Sequence, residues 1–67
     1  MKNSEIGKNA GIVWQLIDKN GAMDIAEIEK ATKLDPESLY MALGWLAREN
    51  KIIFDKMDGT LNITLIY

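Results

Sequence analysis

The stretch from Ile25 to Ile53 holds two helical patterns joined by a turn of only three residues, Lys33-Leu34-Asp35, and a β-prone run follows immediately. On both sides of that turn, apolar residues recur at the three- and four-residue spacing of an amphipathic helix. Leu34 is the apolar residue inside the turn, where we expect it to pack against both helices. The stretch therefore predicts two adjacent helices that lead directly into a strand.

Both helices carry signals for where they begin. Asp24 precedes the first helix of this pair, and Glu27 lies three positions further on. The Asp24 carboxylate can therefore accept a hydrogen bond from an otherwise unpaired backbone N–H. At the second helix, Asp35 suits the cap and Pro36 suits the first helical position, because its φ is already helical. Asn50 tolerates a left-handed conformation and marks the end. The apolar stripe of this helix consists of Leu39, Ala42, Leu43 and Leu46.

Further elements lie on either side of this pair. Before the pair, an N-terminal helix is predicted to be capped by Asn3 or Ser4 and to end at Asn20-Gly21. The C-terminal part predicts a hairpin: a strand from Lys51 to Asp55, a turn at residues 57–59 and a second strand in which Leu61, Ile63, Leu65 and Tyr67 alternate with the intervening residues. Ile52 and Phe54 fall on one face of the first of these strands. The apolar face of the N-terminal helix consists of Ile6, Ala10, Val13, Trp14 and Ile17, and Leu16 widens this face.

Together these residues resemble the helix-turn-helix core of winged-helix proteins, the fold of many bacterial transcription regulators. Residues 31–35 match the turn, Ser38-Leu39 the start of the second helix of the motif, and Asn50-Lys51-Ile52 the exit into the wing. The similarity is greatest to small, stand-alone bacterial winged-helix proteins of unassigned function. It implies an α+β fold in the order α-β-α-α-β-β, with residues 1–67 forming one domain. It also implies that residues 22–24 hold a very short strand that pairs with the wing.

Composition limits what such a chain can do. A domain of 67 residues hides only about 60% of the surface of its unfolded chain, so self-association would add useful burial. The absence of cysteine and histidine removes disulfides, thiolate–zinc sites and the usual general base. Ser4 and Ser38 lie at helix starts, where capping accounts for them. Asp55 and Asp58 fit a solvated turn better than a cation site. We therefore predict no enzyme activity, no metal, no cofactor and no small-molecule substrate.

Targeting signals are not apparent in the sequence. No apolar run approaches 18 residues, and residues 1–4 lead into no signal-like apolar segment. These observations predict a soluble, cytoplasmic protein without a membrane partner.

The resemblance implies binding of double-stranded DNA by the second helix of the motif, which enters the major groove in DNA-binding relatives. The net charge of −2 argues against tight binding. No Arg, Lys, Asn or Gln occurs between Pro36 and Ala47, and Asp35 and Glu37 carry the wrong sign for phosphate. We therefore expect weak binding with a shallow salt dependence. The residues expected to contact DNA are Lys33, Ser38, Tyr40 and Met41 near the groove and Lys56 in the wing.

The same helix also supports a different hypothesis, a homodimer that does not bind DNA. Met41 and Trp45 are four residues apart, so they lie together on one side of the helix, outside the apolar stripe. Interfaces favour Trp and Met, and Gly44 beside them permits close approach. The alternative for Trp45 is that its side chain folds back on the wing and packs at the periphery of the core. Trp14 is expected to lie in the core itself.

Four other residues leave alternatives open. Gly7 and Gly11 share one side of the first helix, where each costs about 0.5–1 kcal/mol relative to Ala. Such a cost points to the close approach of another backbone. That backbone is either the helix that starts at Pro36, the third in the same chain, or the N-terminal helix of a second copy. Ile53 and Ile66 are either scattered surface residues or one side of a strand-edge contact.

Overall fold

The computed structural model describes residues 2–67, which form three helices and a three-stranded antiparallel sheet in the strand order β1-β3-β2. The elements are α1 (Asn3–Asn20), β1 (Met23–Asp24), α2 (Ile25–Thr32), α3 (Pro36–Arg48), β2 (Ile52–Met57) and β3 (Thr60–Leu65). The predicted order of elements is confirmed. The hairpin strands are shifted by one or two residues from the predicted bounds, because the turn contains only Asp58 and Gly59, both at positive φ.

The start of α1 differs from the prediction, whereas its end agrees. The helix begins at Asn3, so Asn3 and Ser4 are already helical and neither is the cap; Lys2 occupies that position without a side-chain hydrogen bond. At the other end, Gly21 has a φ of 80° and its N–H donates to the Ile17 carbonyl at 2.7 Å. A glycine reaches this left-handed region without steric cost, which is why the helix stops there.

The start of α2 is a reciprocal capping box. The Glu27 N–H donates to Asp24 Oδ1 at 2.8 Å, and the Asp24 N–H donates to Glu27 Oε1 at 3.0 Å. Two backbone donors that the helix leaves unpaired are thus satisfied, as the sequence predicted for Asp24. This start also couples the helix to the sheet, because Asp24 belongs to β1 and pairs with Asn62 of β3.

The turn between α2 and α3 contains a feature that the sequence does not reveal. Lys33 adopts a φ of 59°, a left-handed conformation that costs a non-glycine residue on the order of 1–3 kcal/mol. The Thr32 hydroxyl donates to the Ile28 carbonyl at 2.8 Å and accepts the Leu34 N–H at 3.3 Å. These two bonds help to hold the turn and set the direction in which α3 leaves it.

One apolar core lies between the helices and the base of the sheet. All four predicted stripe residues of α3 are buried, and Leu34 packs against the core as expected. Trp14, which was predicted to lie in the core, is only half-buried and packs against it. α3 packs mainly on α1, and Ile28 and Ile63 are fully covered. The buried residues are Ala10, Val13, Ile17, Met23, Ile28, Leu39, Ala42, Leu43, Leu46, Ile52 and Ile63.

The two glycines of α1 do not meet α3. A Cβ placed on Gly7 or Gly11 would have no heavy atom within 4 Å among the described residues outside its immediate surroundings. The expectation that the third helix of the same chain approaches them closely is therefore wrong, because α1 turns other residues towards α3. Contact with a second copy stays a prediction.

The two strands of the hairpin are covered to different extents on their inner face. Ile52 pairs with Leu65 and Phe54 with Ile63, which puts these four residues on the inner face of the sheet. Ile52 and Ile63 are buried, but Phe54 is 43% exposed although it lies on the same face. The sequence predicted the face correctly. Phe54 lies on the edge strand β2, whereas its paired residue Ile63 lies on the central strand β3 and is fully covered.

Candidate contact surface on α3 and the wing

The outer side of α3 is uncovered. We call it the α3 face and define it by Glu37, Tyr40, Met41, Gly44, Trp45 and Arg48, which lie opposite or beside the buried stripe. All six are exposed. Tyr40, Met41 and Trp45 retain 54%, 44% and 47% of their surface, so three large side chains of apolar character are exposed on one helix. Met41 and Trp45 are four residues apart and therefore lie on the same side of it, and a patch of exposed apolar surface is typical of a binding site.

The N-terminal turn of α3 is arranged around Asp35 and Ser38. Asp35 occupies the predicted cap position and Pro36 the first helical one, but the Asp35 side chain accepts no capping hydrogen bond from the helix backbone. The Ser38 hydroxyl beside it instead lowers the pKa of the Asp35 carboxyl. Ser38 is half-buried. Its hydroxyl is therefore partly engaged within the turn, which weakens its case as a DNA contact.

The charges around the α3 face nearly balance. Within α3 itself the ionised side chains are Glu37 and Arg48. Lys33 precedes the helix and Lys56 lies on β2; both are exposed. Lys33, Tyr40, Met41 and Lys56 are thus accessible, as the DNA-binding hypothesis requires, but the helix carries one acid and one base rather than a basic stripe.

The surroundings of Trp45 bear on the interface hypothesis. Several half-buried side chains pack against the core, and Trp14 is one of them. Trp45 is not. A Cβ on Gly44 would meet no heavy atom within 4 Å, so the surface beside Trp45 is open to a partner. Trp45 is thus exposed beside open surface, as the interface hypothesis requires.

Comparison with known proteins identifies the family. A family model described as a winged helix-turn-helix domain (DUF2582) matches residues 1–65. This chain belongs to the DUF2582 family. An uncharacterized protein of Methanocaldococcus jannaschii, MJ1608, is 37% identical over 57 residues, which cover 81% of this chain and 80% of that protein. The solution NMR structure of BT2368 from Bacteroides thetaiotaomicron has a TM-score of 0.86 at 35% identity and covers 97% of this chain and 79% of that one.

These relatives fix the winged-helix fold and leave the activity open. MJ1608 is described as uncharacterized, in agreement with the predicted resemblance to proteins of unassigned function. The two relatives come from an archaeon and a bacterium, so a bacterial origin for this DUF2582 domain stays a prediction.

The DUF2582 domain also exposes apolar residues on its wing. Ile53 is exposed on the outer face of the sheet, and Ile66, which follows β3, is exposed too, in keeping with the sequence interpretation. Phe54, Met57 and Leu61 are exposed as well, which the sequence did not predict. Alternation along a strand indicates which face a residue occupies, but it does not tell how completely that face is covered.

Within residues 2–67 there is no group of three or more carboxylates placed to hold a metal ion, and Asp55 and Asp58 belong to no such group. None of the helices in this range is both long and apolar enough to cross a bilayer.

Proposed function

We propose that this protein is a small DNA-binding regulatory module that places the α3 face in the major groove. The observation that carries the proposal is the uncovered α3 face directly after the three-residue turn, beside a hairpin wing. Lys33 and Lys56 would contact phosphates. Met41 would contact a thymine methyl group, and the Tyr40 hydroxyl would donate to a phosphate or base oxygen. Ser38 is the remaining candidate, limited by its interaction with Asp35.

Charge sets the expected strength of binding. Each phosphate neutralised by a lysine contributes about −0.9 to the slope of log K against log salt concentration. Two such contacts predict a slope near −2, which is shallow for a DNA-binding protein. The net charge of −2 adds unfavourable long-range repulsion.

Fluorescence anisotropy of a labelled random duplex tests this proposal. At low salt we expect saturable binding with a dissociation constant of about 10⁻⁴ M or weaker, lost as salt rises with the slope given above. If the anisotropy did not change with either the protein or the duplex at millimolar concentration, the proposal would be contradicted.

A second function is favoured by the exposure of Trp45 and the open surface at Gly44: the α3 face contacts a second copy of this chain. Met41 and Trp45 would be the apolar anchors, and Gly44 would let the two helices approach. Because the same face would then be covered, this homodimer would not bind DNA through α3.

Replacing Trp45 with Glu tests the second function. Wild-type protein should scatter light as a particle of about twice the 7.6 kDa chain mass, and Trp45→Glu should return it to the monomer mass, because a charge cannot be buried against an apolar partner. Ile12→Glu is a matched control, since Ile12 is similarly exposed but lies on α1. A wild-type monomer at high concentration, or equal effects of both variants, would contradict this function.

A further inference from the structure

The α3 face lacks the side chains that read guanine. Guanine presents only acceptors in the major groove, O6 and N7, and side chains with two N–H donors recognise it. No Arg, Lys, Asn or Gln occurs between Pro36 and Ala47, and Arg48 is the last residue of α3. The N-terminal residues of a groove-binding helix are the ones that meet base edges. That part of α3 therefore cannot make the two-donor contact that guanine requires.

Glu37 and Met41 are the two side chains that this part of α3 presents opposite its buried stripe. They are four residues apart, so they lie in line along the helix, and both are exposed. Glu37 belongs to the first turn and carries a carboxylate, which accepts hydrogen bonds and donates none. Met41 is apolar and 44% exposed. The helix thus offers one acceptor followed by one apolar side chain.

A cytosine and a thymine are the bases that match this arrangement. In the major groove a Glu carboxylate accepts from the N4 amino group of cytosine, and apolar side chains contact the C5-methyl group of thymine. Four residues of an α-helix span about 6 Å, close to two base-pair steps of about 3.4 Å each. A Cβ on Gly44 would meet no heavy atom within 4 Å, so the surface beside Met41 is open to a base edge.

We propose that the α3 face selects duplex DNA in which a cytosine and a thymine lie two base pairs apart on one strand. Glu37 accepts from the cytosine amino group, and Met41 covers the thymine methyl group. This base preference rests on the proposed DNA binding and adds selectivity to it. Lys33 and Lys56 supply affinity through phosphates, which carry no sequence information. Glu37 lowers the affinity for every duplex but discriminates among bases, because its charge repels guanine O6 and N7.

Replacing thymine by uracil tests the Met41 contact, because uracil pairs as thymine does and lacks only the methyl group. The probes are labelled duplexes of the repeats CCTT and CCUU, each with its complementary strand. Wild-type protein should bind the CCTT duplex about fourfold more tightly at low salt, as expected for burial of one methyl group. Met41→Ala should bind both duplexes alike. Ile12→Ala is the control: it truncates a similarly exposed residue of α1 and should keep the difference.

Glu37→Gln tests the cytosine contact by changing the base that is preferred. A Gln side chain both donates and accepts, and it pairs with N6 and N7 of adenine. The third probe is the repeat AATT, in which adenine replaces each cytosine. The affinity for CCTT relative to AATT should fall about tenfold or more from wild type to Glu37→Gln. Because both proteins meet the same two duplexes, differences in DNA shape cancel in this comparison.

Fluorescence anisotropy gives the affinities, and circular dichroism checks that each variant is folded. Equal binding of the three duplexes by wild-type protein would overturn the base preference and leave the proposed DNA binding intact. A Met41→Ala variant that still preferred thymine, or a Glu37→Gln variant with the wild-type ratio, would overturn the preference in the same way. If no duplex bound at millimolar protein, the proposed DNA binding would be overturned together with the preference.

Discussion

Leu39→Ala is expected to lower the free energy of unfolding by about 3–5 kcal/mol. Leu39 has no exposed surface and lies in the core that joins α3 to α1. Truncation removes the apolar burial of the side chain and leaves a cavity that the surrounding helices fill only in part. A 67-residue domain has a total stability of roughly 3–10 kcal/mol, so this single change removes much of it. Denaturant unfolding monitored by circular dichroism measures the difference.

Tyr40→Ala is the matched control for this prediction. Tyr40 is the next residue along α3 but is 54% exposed, so its truncation should change the stability by no more than about 0.5 kcal/mol. Similar losses for the two variants would mean that α3 does not bury the side assigned to it.

The second large effect concerns charge. Replacing Lys33 and Lys56 together by Glu should weaken binding to a random duplex more than tenfold and reduce the magnitude of the salt slope by about 2, because two phosphate contacts are lost. Both lysines are exposed, and neither is in the apolar core. The measurement is the anisotropy titration at several salt concentrations.

A control with the same net charge separates local contact from overall repulsion. Lys8→Glu combined with Lys19→Glu also replaces two exposed lysines, but both lie on α1. This control should retain most of the affinity and the wild-type salt slope. If the two double variants weakened binding equally, overall charge rather than the α3 face and the wing would account for binding.

The fold was predictable because local signals agreed with one another. The capping pair at Asp24 and Glu27, the Asp35-Pro36 start of α3 and the Asp58-Gly59 turn each fix a boundary by backbone chemistry, and the stripe of α3 fixes its buried side. The start of α1 was not predictable in this way, because Asn3 and Ser4 offered two caps and the helix used neither.

The candidate site was predictable only in part. The spacing of Met41 and Trp45 placed them on one side of α3, but their exposure depends on what covers that side, which periodicity does not encode. The left-handed Lys33 depends on hydrogen bonds of Thr32 that form only when the turn does. The exposure of Phe54 likewise depends on the order of the strands, which puts β2 at the edge of the sheet and its partner strand β3 in the centre.

The central claim is that the α3 face and the wing together form the surface that contacts duplex DNA. Amide chemical shifts recorded while a random duplex is added at low salt test it most directly, since they report on each residue. We expect shifts concentrated in residues 33–45 and in the hairpin around Lys56, with α1 unaffected. Shifts centred on α1, or no shifts at millimolar DNA, would contradict the claim.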